Sequence, residues 1–136
     1  MSAIPGVRAV SSGAAYLVTL TEGSGLTWLA DEPTDAGGTG RAPTPHQLLL
    51  SSLGACTAIT LRMYAARKGW PLQAVEVELQ FNPDGAPGDG ASDIRRRISL
   101  RGKLDAGQRE RLLQIANRCP IHKVLAGEVR ITSSLA

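Results

Sequence analysis

The amino-acid sequence predicts an α+β fold with antiparallel strands, an expectation that rests on three observations. Alternating strand patterns come in pairs, Gly13 to Leu20 with Leu26 to Leu29 and Val75 to Phe81 with Asp93 to Arg101, each pair joined by a Gly-rich connection. Helical patterns lie between and after these pairs, not between successive strands, which disfavours a doubly wound parallel sheet. One helical segment, Leu48 to Ala66, is apolar around most of its circumference, as befits a helix buried in the middle of an assembly.

The elements follow in order. Ala15, Leu17 and Thr19 alternate with Tyr16, Val18 and Leu20, and Thr21-Glu-Gly-Ser-Gly turns the chain into Leu26-Thr-Trp-Leu. Asp31 to Pro43 carries the Pro and Gly punctuation of a loop, and its carboxylates Asp31, Glu32 and Asp35 read as solvated surface. Thr44 has the marks of an N-cap, with Pro45 at the first helical position and Gln47 completing a capping box. Gly69 suits the position just past the helix, and Pro71 stops its continuation. Val75, Val77, Leu79 and Phe81 form the apolar face of one strand, and Ile94, Arg96, Ile98 and Leu100 share a face of the next. Asp105 and Gln108 open an amphipathic helix carrying Leu112, Leu113, Ile115 and Ala116. A short helix from Pro120 to Leu125 and a last strand from Glu128 to Ser133 complete the chain.

At 136 residues, with 43% apolar and 20% charged residues, residues 1–136 read as a single domain. No uninterrupted run approaches the ~18 apolar residues of a membrane span, and Met1-Ser-Ala-Ile-Pro-Gly lacks the basic and apolar regions of a secretory leader. The expected compartment is the cytoplasm. A net charge of +3 falls short of a nucleic-acid binder's clustered field, and Arg95, Arg96 and Arg97 alternate sides on a strand and so cannot form one patch. The chain is too short to surround a central apolar helix alone, so a homodimer with that helix at or near the interface is expected.

Two cysteines carry the candidate chemistry. Cys56 sits mid-helix among apolar residues, where a thiol commonly serves as a small hydrophobe, although Gly54 could open the helix there. Cys119 precedes Pro120 at an N-cap position, where a helix N-terminus favours the thiolate. Zinc ligation by Cys56, Cys119, His46 and His122 is weak. His46 and Cys56 lie roughly 15 Å apart along one helix, so a single site cannot use both, while Cys119 and His122 at i, i+3 remain compatible. A nucleophilic pair, Cys56 with His122 or either cysteine with His46, has no identifiable third group. Gly37-Gly-Thr-Gly lacks the context of a phosphate loop.

The run Gly-Gly-Thr-Gly-Arg-Ala-Pro-Thr-Pro-His-Gln-Leu-Leu-Leu-Ser-Ser-Leu-Gly-Ala-Cys56-Thr, with Lys68-Gly-Trp-Pro-Leu and the later Asn117-Arg-Cys119-Pro-Ile-His-Lys, resembles the OsmC/Ohr family of osmotically inducible and organic hydroperoxide resistance proteins. The resemblance implies an intertwined homodimer with antiparallel sheets wrapped around long central helices. It also implies a thiol peroxidase acting on organic or lipid hydroperoxides, with Cys56 peroxidatic and Cys119 resolving through a disulfide. No metal or cofactor would be needed beyond an external dithiol reductant, such as a lipoyl-type dithiol. Members of the family activate the peroxidatic thiol with a hairpin arginine held by a glutamate ten residues before the cysteine. Here the hairpin turn has no arginine and His46 stands at that glutamate's position, so Arg8, Arg41, His46 and His122 become the candidate activating or pocket residues. The alternative is a dimer of the same fold that holds a lipid or other small molecule without robust turnover.

Overall fold

The computed structural model describes residues 4–11 and 13–136. Met1 to Ala3, part of the opening read above as lacking a leader, lie outside the described residues. The fold is α+β with antiparallel sheets. In chain order come β1 (Val7–Ser11), β2 (Val18–Glu22), β3 (Thr27–Ala30), a 3-10 turn (Thr34–Ala36), α1 (Pro45–Lys68), β4 (Leu72–Phe81), β5 (Ile94–Gly102), α2 (Ala106–Ala116) and α3 (Pro120–Leu125). The chain divides into two compact units, Met1–Leu49 and Leu50–Ala136.

In the first unit β1, β2 and β3 form an antiparallel sheet in that order, with Val10 opposite Thr19 and Leu20 opposite Trp28. The β2–β3 turn is held by Glu22, whose carboxylate accepts from the Ser24 and Leu26 amides at 2.9 and 3.0 Å. The expected strand from Gly13 begins only at Val18. Ala15 takes a left-handed φ of 43°, and the Leu17 amide closes a turn on the Ala14 carbonyl at 3.0 Å. The expected hairpin with the strand after the turn is present as β2–β3, and on its other edge β2 also pairs with β1, which the sequence hides because all five residues are exposed and no apolar alternation marks them.

Asp31 also departs from expectation. It is 2% exposed, not a surface carboxylate. Its oxygens accept from the Thr39 hydroxyl and from the amides of Glu32 at 2.8 Å, Thr39 at 3.2 Å and Arg41 at 3.3 Å. The Thr39 hydroxyl, followed by these amides, holds its carboxyl below the usual aspartate range against the opposing effect of burial. A buried carboxylate is tolerable here because the loop's own donors turn inward onto it. Gly38 permits the tight path: a Cβ there would lie 1.9 Å from the Glu32 carbonyl oxygen.

The second unit is a β4–β5 hairpin packed with helices. Thr44 and Gln47 form the expected box at the start of α1, the Gln47 amide donating to Thr44 Oγ1 at 3.2 Å and the Thr44 amide to Gln47 Oε1 at 3.0 Å. Gly69, at φ +70°, ends the helix, with the Trp70 amide reaching back to the Ala65 carbonyl at 2.9 Å. Four buried residues at every fourth position of α1, Leu53, Thr57, Leu61 and Ala65, define its inward stripe. Leu61 joins Leu112, Ile115 and Ala116 of α2 in the core, with Val75, Ile98 and Leu100 of the hairpin packed against them. The Asp105–Gln108 capping box starts α2 as expected.

Glu128 to Ser133 forms no strand. No described strand edge pairs with it, and Ile131 and Leu135 are 85% and 100% exposed. Although no uninterrupted apolar run exists, α1 has 24 residues and a mean hydropathy of 1.3 over its most apolar window, which meets the length and composition of a membrane span. The core is the stronger account of its inward stripe. Truncating Leu112, fully buried at the centre of this core, to Ala is expected to lower stability by about 2–5 kcal/mol, measured by urea unfolding.

Candidate functional site

The site forms where α1, β5 and the start of α3 meet. On β5 the alternation places Arg96 on the same face as Ile94 and Ile98, while Arg95 turns outward to an exposed ion pair with Asp84 at 2.6 Å. The Arg96 guanidinium therefore enters an otherwise apolar space and finds three partners. Nη1 donates to Thr57 Oγ1 at 3.0 Å, and Nη2 lies 3.0 Å from both Asn117 Oδ1 and His122 Nδ1. Thr57, fully buried on α1, passes its own hydroxyl proton to the Leu53 carbonyl at 2.7 Å, leaving its lone pairs for Arg96.

His122 is held below the ordinary histidine range, first by burial and then by the positive charge of Arg96. At neutral pH its ring is neutral, and because Arg96 can only donate, Nδ1 accepts and the ring proton sits on Nε2. In this state His122 supplies no positive charge.

The thiols sit at the beginning of α3. Cys119 is its N-cap, fully buried, and its sulfur accepts from the His122 amide at 3.3 Å. Pro120 at the first helical position has no N–H, so Ile121 provides the first free donor. That amide points to Cys56 Sγ at 3.5 Å. Consecutive amides of one helical turn thus engage the two sulfurs, and both cysteines are free thiols. Gly54 does not open the helix, because α1 runs unbroken through Cys56. Its missing side chain serves approach to the hairpin instead: a Cβ there would lie 2.8 Å from Leu79 Cδ1, and Leu79 is directly opposite Arg96 in the β4–β5 register.

A cavity of about 410 Å³ adjoins this cluster, lined on its polar side by Arg96, Asn117 and His122. Of the residues singled out in the sequence, Cys56, Cys119 and His122 come together here. Arg8 on β1, Arg41 in the loop after β3 and His46 in the first turn of α1 belong to the first unit. Among the described residues no group of three or more His, Cys, Asp or Glu side chains is placed to hold a metal ion. Sequence reasoning missed Arg96, Thr57 and Asn117 as members of the site. The signal for Arg96 was present, since a charged residue in phase with Ile94, Ile98 and Leu100 must either be exposed or be satisfied inside.

Two free thiols on adjacent amides, in an α+β fold beside a half-buried arginine, define a dithiol site. The chain belongs to the OsmC family: the family model for OsmC-like proteins matches residues 38–134. Similar solved structures include an OsmC-like protein from Mycoplasma pneumoniae, with 20% identity over 93% of this chain and 90% of that one at a TM-score of 0.75. An organic hydroperoxide resistance protein OsmC from Legionella pneumophila has 20% identity, 92% and 90% coverage and a TM-score of 0.67. The organic hydroperoxide resistance protein OhrB of Bacillus subtilis has 23% identity, 91% coverage of each chain and a TM-score of 0.57. No curated protein sequence matches the chain.

The lowered His122 value has a measurable consequence. The unfolded chain binds a proton at His122 near the ordinary histidine value of 6.5 while the folded chain resists it, so stability is full above that pH and falls as pH drops toward the lower folded value. NMR titration of His122 is expected to give a midpoint below 6.5, and His122→Gln is expected to flatten the loss of urea stability in that window. A midpoint at or above 6.5 would contradict the assigned surroundings.

Proposed function

We propose that this protein is a thiol-dependent peroxidase that reduces organic hydroperoxides, with Cys56 as the attacking thiol and Cys119 as the resolving thiol. The observation that carries the reading is the convergence of both sulfurs on consecutive amides of α3, Ile121 to Cys56 and His122 to Cys119. Membership of the OsmC family supports it, as do the names of the Legionella and Bacillus proteins that share the fold.

In the proposed cycle the Cys56 thiolate attacks the outer oxygen of the hydroperoxide. The S–O bond forms as the O–O bond breaks, the departing alkoxide takes up a proton and leaves as the alcohol, and Cys56 becomes a sulfenic acid. The Cys119 sulfur then attacks the Cys56 sulfur, the disulfide forms and water leaves. An external dithiol, with a lipoyl-type dithiol as the first candidate, gives two electrons and two protons by thiol–disulfide exchange to restore both thiols. The cycle needs no bound metal or cofactor, and the reducing cytoplasm suits its resting dithiol form. The Ile121 amide stands where negative charge on Cys56 would be held.

A second copy of the chain completes the assembly in this reading. Cys56, Ile59 and Met63 fall on one stripe of α1, and Ile59 and Met63 are each 58% exposed, which is costly for a helix that belongs at a centre. The unpaired Glu128 to Ser133, alternating Val129 and Ile131, suits pairing with a neighbouring chain's strand edge.

Purified protein with dihydrolipoamide is expected to consume cumene hydroperoxide. Cys56→Ser should fall to the background rate, and Cys119→Ser should stop after one equivalent with a dimedone-trappable sulfenic acid. Absence of consumption in wild type with every dithiol tried would sink the proposal. In sedimentation, wild type is expected to run as a dimer, and Ile59→Glu, which sets a charge on the stripe, should shift it to monomer.

A further inference from the structure

Arg96 is the one feature of the site that neither the thiol chemistry nor the family resemblance uses. Its three recorded partners, Thr57 Oγ1, Asn117 Oδ1 and His122 Nδ1, are all uncharged. Among the described residues the ion pairs are Arg95 with Asp84 and Arg130 with Glu128, so no carboxylate neutralises it. His122, the titratable group nearest to it, is held neutral in part by this same charge. Three acceptors occupy three of the five guanidinium hydrogens, and those on Nε and the second on Nη1 have no protein acceptor among the described residues.

The position of this charge gives it meaning. Arg96 lines the 410 Å³ cavity, whose other walls include Leu53, Ile94, Ile98 and Leu125. Arg96 is half-buried and its remaining hydrogens are not sealed away from water, so an anion entering the cavity can exchange with water at a guanidinium already held by neutral groups. Inorganic anions fit poorly, because they would leave the apolar walls unused. A carboxylate bearing a hydrocarbon body uses both: the planar head takes the free hydrogens of the guanidinium fork, and the body covers the aliphatic side chains. The volume corresponds to roughly a dozen water-sized groups at about 30 Å³ each, the scale of a medium-chain acid.

We propose that the Arg96 cavity is a binding site for an apolar monocarboxylate, held head-first by Arg96 with Asn117 and His122 fixing the guanidinium. The site does not depend on thiol oxidation. Neither cysteine lines the cavity, so its occupant can be bound whether or not the thiol pair turns over peroxide.

Calorimetric titration of the Cys56→Ser/Cys119→Ser protein with decanoate, decanol and inorganic phosphate tests the site apart from the peroxidase. Decanoate is expected to bind one per chain, about tenfold or more tighter than decanol, with phosphate silent. Arg96→Gln should bring decanoate down to the level of decanol. In case that variant folds poorly, NMR of the thiol-free protein with intact Arg96 provides an independent reading, with decanoate expected to shift the His122 ring and the Asn117 amide signals and decanol not. Equal affinity for acid and alcohol, no saturable decanoate binding, or decanoate shifts confined to residues away from the cavity would each overturn the proposal. Absence of peroxidase activity in wild type, with decanoate binding retained in the thiol-free protein, would overturn only the thiol reading.

Discussion

The second unit depends on a guanidinium that points inward. Once the β5 alternation sends Arg96 to the apolar face, its donors must be satisfied there, and the three acceptors that satisfy it come from three different places in the chain. Thr57 belongs to α1, Asn117 caps the end of α2, and His122 lies in the first turn of α3. Meeting at one cation fixes the height of α1 over β5 and the exit direction of α2. It also sets the place where α3 begins, and that last consequence matters for the chemistry. Cys56 is the neighbour of Thr57, Cys119 is three residues before His122, and so the convergence on Arg96 is also a convergence of the sulfurs.

Much of this fold was legible because local signals agreed with the packing. The Thr44 and Asp105 boxes, the Gly69 stop, the β4–β5 alternation and Cys119 as the cap before Pro120 are each decided within a few residues, and each stands in the structure. What was not legible depended on partners distant in sequence. β1 is recognisable only through its pairing with β2, since Val7–Ser11 bears no alternation of its own. Asp31 looked like solvated loop because its burial comes from Thr39 and Arg41 folding back over it. Glu128 to Ser133 has the apolar alternation of a strand yet forms none, because alternation gives a strand a face but cannot give it an edge to pair with.

The site shows the same division. Both thiols and His122 could be picked out by residue type and local context, and the structure gathers them. The cation could not be found by residue type, because arginines are numerous and most are solvated. Arg95, Arg96 and Arg97 are chemically identical and adjacent, and only the strand period separates the inward one from its neighbours. The alternation that rules the triplet out as one patch also places Arg96 in phase with Ile94 and Ile98, but it assigns that inward charge no role. A charged residue in phase with an apolar face is more informative than three charges in a row, because it obliges the surrounding elements to provide polar atoms.

The neutral state of His122 follows from the same geometry and limits what the site can be. A protonated His122 would place a second positive charge 3.0 Å from the Arg96 guanidinium and remove the lone pair that accepts its hydrogen bond, so the two cannot both be charged without breaking the network. The ring's burial adds to that cost. His122 therefore serves as an acceptor that orients Arg96, while its backbone amide separately engages Cys119. One residue thus joins the cation and the resolving thiol through two different groups. Positive charge in the second unit's cluster rests on Arg96 alone, and any anionic species formed or bound there meets a guanidinium already held in place by its neutral neighbours.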